Sequence, residues 1–273
     1  MHFKVFIKLT VLALCMNGAS CGHQSYNLEN ASLDKILKSP HRSAENKARD
    51  KYRNPKETLK FFEVEPDMTV IEVSPGRGWY TEILGPYLKK SGTLRLTLFS
   101  EKSKRSYAKK LNQATKELLK KEKLFGKVEV TALEPPLDMS PLAPDGYADR
   151  ILTFRNVHSW QSKGYGVEVF KLFYKALKKG GILGVVQHRA PENSDVGGKP
   201  QKGYMKESQV IEIAKKAGFK LVAKSEINAN SRDSADYEGG VWTLLPSLRP
   251  NSGDPEKYRL LGESDRMTLK FVK

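Results

Sequence analysis

Cysteine is nearly absent. Cys15 and Cys21 are the whole complement of a 273-residue chain. Both stand at the N-terminus, and removal of a leader containing Cys15 would leave one thiol. An internal disulfide and metal binding through paired cysteines are then excluded. Long hydrophobic runs are missing too, and no part of the body is apolar for long enough to span a bilayer. Acidic residues are outnumbered, 31 against 47 Lys and Arg, for a formal net charge of +16. The excess concentrates over Lys102–Lys127. There Lys104, Arg105, Lys109, Lys110, Lys116, Lys120, Lys121 and Lys123 fall on a helical segment with a narrow apolar stripe of Leu111, Leu118 and Leu119. Such a face is either simply solvated or drawn to an anionic surface. No nucleic-acid module is recognisable, and the aromatics are not interleaved with this run, so phospholipid is a more reachable partner than nucleic acid. There is no internal repeat or low-complexity tract. The length suits one α/β domain with additions.

What is present begins with the N-terminus. Lys4 and Lys8 give a charged start, Leu9 to Met16 is a short apolar run, and Asn17-Gly18-Ala19-Ser20 precede Cys21. This is the layout of a secretory signal over residues 1–21, too short for a membrane anchor. Small residues just before a cysteine resemble a bacterial lipoprotein cleavage site, after which Cys21 would carry lipid. Gly18 stands where a larger aliphatic residue is usual, so ordinary cleavage near Ser20 or Cys21 competes. The expected location is the periplasm, or a membrane anchored through Cys21. Cytoplasmic retention is the alternative.

Residues 22–54 read as a polar tether followed by helices over Ala31–Lys38 and Ala44–Tyr52. Pro55 suits a helix start and leads into Glu57–Phe62, with Leu59, Phe61 and Phe62 turned inward. This preface is expected to pack on a sheet and roof its ligand cleft. Residues 55–273 form the main domain. It alternates strand and helix, which argues α/β with a parallel sheet. The expected strands are Thr69–Val73, Thr93–Phe99, Lys127–Ala132, Ala148–Phe154, Ile182–Gln187, Lys220–Ile227 and Met267–Val272. The expected helices are Trp79–Lys89, Ser103–Glu122, Val167–Leu177 and Ser208–Ala217. Gly180-Gly181 is read as a helix stop. Asn228–Arg266 is a long excursion, and Pro191–Gly203 is a candidate lid.

The densest chemistry follows the first strand, in Val70-Ile71-Glu72-Val73-Ser74-Pro75-Gly76-Arg77-Gly78. A strand running through glycines into a helix lets the backbone approach a ligand and offers free N–H groups. Glu72 sits where it can accept hydrogen bonds from a ligand amine or hydroxyl. Alone, the G-x-G equally fits a plain tight turn. In open parallel sheets ligands lie beyond the carboxyl ends of the strands. That rule gathers Glu72–Gly78, Ser100-Glu101, Ala132–Glu134, Arg155–Trp160 and His188-Arg189 at one rim. Asn156 and His158 are the catalytic candidates. Asn156 would orient an acceptor, and His158, which titrates near neutrality, would take its proton. The alternative for His158 is a hydrogen bond bracing the loop. Tyr80 and Trp242 are candidate pocket walls, or simply core.

Several blocks in order carry a resemblance. Besides the glycine turn they are Arg53–Leu59, Arg155-Asn156-Val157-His158-Ser159-Trp160, Gly184–Ala190, Ser225–Asn230, Gly240–Leu244 and Gly262-Glu263-Ser264-Asp265-Arg266-Met267. From Arg53 to Lys273 the chain resembles a class I S-adenosylmethionine-dependent methyltransferase. More narrowly, it is similar to a bacterial family of predicted methyltransferases that often carry export signals. The resemblance implies a Rossmann-like, mostly parallel seven-stranded sheet whose last two strands form an antiparallel hairpin. It implies S-adenosylmethionine as cofactor, its amino-acid part held by Glu72, Ser74, Gly76 and Gly78. Ser74 replaces the first glycine of the wider pattern. Ser100 stands where an acid usually grips the ribose, with Glu101 one residue late as the candidate substitute or an exposed cap. The expected reaction is methyl transfer to an unidentified acceptor. Because S-adenosylmethionine is made in the cytoplasm, a non-catalytic envelope protein reusing the fold as a binding module is the alternative.

Overall fold

A computed structural model of the chain describes residues 28, 30–195, 202–249 and 253–273. The expected secretory signal with Cys21, most of the tether and the middle of the candidate lid lie outside these residues. The strands are β1 (Thr69–Val73), β2 (Thr93–Leu98), β3 (Val128–Ala132), β4 (Ala148–Phe154), β5 (Leu177–His188), β6 (Lys220–Ser225) and β7 (Arg266–Val272). They form one seven-stranded sheet in the order β3-β2-β1-β4-β5-β7-β6. The pairs among β1 to β5 are parallel, and β7 runs antiparallel to both β5 and β6. This is the expected mostly parallel sheet with its terminal hairpin.

Alternation along each strand divides the core between two faces. Ile71, Val73, Ile151, Val185 and Leu269 join Phe170 and Phe173 on one side. Val70, Leu96, Leu152 and Val186 join Ile36, Leu59, Phe62 and Ile83 on the other. The second face is covered by α1 (Leu33–Lys38), α4 (Pro55–Phe61) and α5 (Thr81–Leu88), with the short α2 (Ala44–Ala48) and α3 (Asp50–Arg53) joining α1 to α4. Ser32 and Ser43 cap α1 and α2 by accepting from Lys35 N and Asn46 N. Phe62 presses on Gly184, where an added Cβ would lie 2.7 Å from the ring. Trp79 Nε1 donates to Asn46 O at 3.1 Å, and Asn46 Nδ2 donates to Glu82 at 2.9 Å. The preface is thereby tied to the turn that follows β1.

Four expectations need correction. The polar helix expected over Ala44–Tyr52 breaks at Arg49 into α2 and α3. The basic helix expected over Ser103–Glu122 runs only over α6 (Ser106–Leu119), and a separate short helix, α7 (Glu122–Phe125), follows it. Lys121 leaves helical geometry so that Leu124 and Phe125 turn inward, Phe125 filling the space over Gly85. Arg155–Trp160 is not all loop, because Val157–Gln161 forms the short α8. Gly180-Gly181 does not stop a helix. After α9 (Gly166–Ala176) the chain enters β5 at once, and the glycines lie inside β5 beside a register shift against β4. The remaining helices are α10 (Glu207–Lys216) and α11 (Pro255–Leu261). The excursion 228–266 contains α11 and a 3-10 turn at Gly240–Thr243. Asn228 pins its start by donating to Thr58 and Thr268.

Candidate functional site

The turn after β1 supplies the first wall. Ser74 adopts φ 49°, held by donation from its N–H to Thr97 O and Oγ1 at 3.1 and 3.0 Å. Gly76 has φ 66°, and a Cβ built there meets nothing within 4 Å. Gly78 has φ 80°, but its Cβ would lie 2.4 Å from Leu118 Cδ2 on α6. The two glycines therefore differ. Gly76 leaves backbone open, whereas Gly78 lets α6 pack closely. Glu72, 1% exposed, points to the α5 side and accepts from Thr81 Oγ1 at 2.7 Å. Burial pushes its carboxyl up to about 7, opposed by the Thr81 bond and by Arg155. Tyr80 is buried, its ring stacked on Phe154 at 3.6 Å, so it is core rather than pocket wall.

The end of β2 is arranged differently. Glu101 is exposed and pairs with Lys116 on α6 at 2.8 Å, away from Glu72. Ser100 is buried, and its N–H donates to Glu134 at 3.1 Å. Glu134, just beyond β3, also accepts from Ser103 Oγ and Arg105 Nε. A buried acid thus stands beside the end of β2, contributed by the next strand. Sequence reading placed Glu134 on the rim without giving it a part. The signal was an acid directly after a strand and before two prolines.

At the end of β4, Arg155 takes φ 67° while its N–H donates to Val186 O at 2.6 Å. Asn156 Nδ2 donates to Val73 O at 3.0 Å, bridging the ends of β4 and β1. His158 lies one strand further, buried against Gln187 of β5. Its Nδ1 is 3.3 Å from Gln187 Nε2 and its Nε2 is 3.2 Å from Ser159 Oγ. Burial lowers its pKa to about 4. At neutral pH it is an uncharged imidazole with both nitrogens engaged, an arrangement suited to bracing α8. Trp242, partly exposed, lies with its ring 6.1 Å from His158. The structure therefore groups Glu72, Ser74, Gly76 and Asn156, sets His158 behind them, and leaves Glu101 outside.

Behind Asn156 stands a cluster that sequence reading did not assign. Glu263 accepts from Arg49 Nε at 2.7 Å, from Arg53 Nε at 2.9 Å and from Arg266 Nη2. Burial alone would raise its carboxyl, but Arg266, Arg53 and Arg49 outweigh this and hold it well below the usual carboxylate range. Arg53 also lies over the Trp79 ring, 4.6 Å from its centroid. Arg155 adjoins this group electrostatically, and burial with repulsion from Arg266 lowers its pKa to about 10. Arg53, Arg155 and Arg266 sit inside the blocks that carry the resemblance and Arg49 just before the first, but only folding joins residues 49–53, 155 and 263–266.

No protein-family model matches the chain, and no curated protein matches it. Solved structures do. An S-adenosylmethionine-dependent methyltransferase from Aquifex aeolicus is 18% identical, with 89% of this chain and 99% of that one covered at a TM-score of 0.54. The chain has the class I methyltransferase fold. A methyltransferase from Methanosarcina mazei is 9% identical over 79% of this chain and 96% of that one, with a TM-score of 0.52. The 4+2 cyclase SpnF is 14% identical, covering 86% of this chain and 84% of that one, with a TM-score of 0.56. At these identities the likeness is of fold, and the fold hosts more than one reaction.

Proposed function

We propose that this chain transfers a methyl group from S-adenosylmethionine to an acceptor that enters beside the end of β4. The observation that carries the reading is the open backbone at Gly76, directly after the strand that bears buried Glu72. A ligand reaches a main chain with no side chain in the way, next to a carboxyl able to accept from an ammonium group. Glu72, Ser74 and the Gly76 backbone would hold the amino-acid end, and buried Ser100 would face the ribose. When bound, S-adenosylmethionine supplies an electrophilic methyl carbon. The chain's part is placement: Asn156 fixes the gap between β1 and β4, and neutral His158 keeps α8 in position. Methyl transfer to a poised acceptor needs little more than in-line geometry.

Glu72 makes the reading testable by pH. A carboxyl with a pKa of about 7 is mostly protonated at pH 6 and mostly ionised at pH 8. If the ionised form receives the cofactor ammonium, affinity falls by roughly tenfold from pH 8 to pH 6. Calorimetry should show this fall, with proton release on binding near pH 7. Glu72→Gln should remove the pH dependence. A flat profile in the wild type would separate Glu72 from the ligand.

The narrower similarity to exported predicted methyltransferases, together with the secretory layout, supports a processed envelope protein. The exposed lysines Lys104, Lys109, Lys110, Lys121 and Lys123 offer a face for anionic phospholipid. Among the described residues no helix is long and apolar enough to cross a membrane. In this reading the anchor is lipid at Cys21. Intact mass of protein from its native membrane should show loss of the first ~20 residues. A mass retaining Met1 argues for the cytoplasmic alternative, and a processed mass without lipid argues for ordinary secretion.

A further inference from the structure

Three segments far apart in the chain close around one cavity of about 640 Å³. They are residues 51–54 at the end of α3, residues 228–232 after β6, and residues 259–264 between α11 and β7. The volume falls in the range of small-molecule sites, about 300–1,000 Å³. Glu72, Ser74, Gly76, Asn156 and His158 do not line it.

The rim is cationic. Lys51, Arg232 and Arg259 are all exposed there. Arg259 is paired with Glu256. The Arg232 guanidinium donates to Leu260 O and Leu261 O, and Lys51 Nζ lies over the Tyr52 ring. Neither Lys51 nor Arg232 meets a carboxylate among the described residues. Among the described lining residues the one acid is Glu263, which is buried and already held by Arg49, Arg53 and Arg266. Two positive charges at the mouth are thus left without a counter-charge. Deeper in, the lining lacks donors. Asn54 Nδ2 donates to Ile227 O at 2.6 Å, while its Oδ1 accepts from no described residue. Asn228, 3% exposed, donates to Thr58 and Thr268, and its Oδ1 is buried without a donor. A buried acceptor left unmet is costly, so its presence in a cavity wall asks for a donor from a ligand.

We infer that this cavity binds a phosphorylated polyol, such as a sugar phosphate, either free or as the headgroup of a lipid. A phosphate monoester carries about −1.5 to −2 charges at pH 7, which matches Lys51 and Arg232 together. The hydroxyls of the polyol are the donors that Asn54 and Asn228 lack. The site stands apart from the methyl-transfer reading, which uses other residues.

The test titrates the full chain at low salt with glucose-6-phosphate, glucose and inorganic phosphate. Glucose-6-phosphate should bind saturably and more tightly than either fragment. Lys51→Gln, at an exposed position, should weaken it by roughly tenfold, the size of a lost charge-assisted hydrogen bond. Lys121→Gln, outside the cavity, should change nothing. Asn54→Gly suits the left-handed backbone at φ 38° and should weaken glucose-6-phosphate while leaving inorganic phosphate unaffected. Should that variant melt early, the comparison of the ester with inorganic phosphate on the wild type still decides. Phosphatidylcholine vesicles with and without phosphatidylinositol phosphate separate the sources. Vesicle binding that Lys51→Gln weakens and glucose-6-phosphate displaces supports a lipid headgroup, and binding of the free ester without vesicle binding supports a soluble ligand. Saturable binding of neither ester nor vesicles overturns the inference. So does ester binding that Lys51→Gln leaves unchanged, or inorganic phosphate binding as tightly as the ester, because the hydroxyls then contribute nothing.

Discussion

Glu263→Gln lowers stability by about 3–5 kcal/mol, the cost of breaking a buried ion pair by removing one partner. The substitution keeps shape and leaves Arg53 and Arg266, both buried, with Arg49 beside them and no carboxylate among them. In a chain of this size that is a fall in melting temperature of roughly 6–20 °C. The comparison is Glu256→Gln, which loses an exposed pair with Arg259 and should change little. Equal melting temperatures for the two variants would mean that the cluster does not carry uncompensated charge. The pH dependence has a definite sign. The depressed Glu263 pKa contributes stability present above the ordinary glutamate range and lost as pH falls through the folded value. Glu72 acts oppositely. Its raised pKa favours folding below the unfolded value of about 4.5, and that contribution is lost as pH rises through about 7. The wild type should therefore weaken in acid faster than Glu263→Gln does.

The second large effect separates the two glycines. Gly76→Val places a side chain in open space at the cleft and should weaken S-adenosylhomocysteine binding by roughly 100-fold, about 2.7 kcal/mol. Its effect on folding should be confined to backbone strain of about 1–2 kcal/mol. Gly78→Val should fail the other way. Its side chain collides with the Leu118 Cδ2 methyl at a φ of 80°, so Leu118 must turn aside on top of the backbone strain and the protein melts earlier than Gly76→Val. Calorimetry and thermal melting on both variants decide this. If Gly78→Val folds normally and loses ligand while Gly76→Val keeps it, the roles are reversed.

Much of this fold was legible because its strands are short apolar runs with clear punctuation. Thr69–Val73 and Ala148–Phe154 fall at the expected residues, and the hairpin of β6 and β7 follows from the resemblance. The failures share a physical cause. Lys120 to Glu122 read as the end of one long helix, but the chain breaks at Lys121 and restarts as α7, which lets Phe125 fill the space over Gly85. Gly180-Gly181 carries a strong local stop signal, yet the pairing of Leu177 with Ala148 draws the chain into the sheet first. Around the candidate site, local sequence placed Glu72 and Asn156 at strand ends, where the structure has them. It could not show that Gly78 packs on Leu118, 40 residues away, or that Glu101 turns outward to Lys116. The arginine cluster was beyond reach for the same reason. Its members lie on α3, in the turn before it, after β4 and at β7, and their shared burial exists only in the folded chain.

The most direct test is titration of S-adenosylmethionine and S-adenosylhomocysteine into the full chain at pH 8, where Glu72 is ionised. Saturable binding at one site per chain, lost in Gly76→Val, is the predicted result. No heat and no thermal shift at millimolar ligand, with the protein folded, would contradict the account.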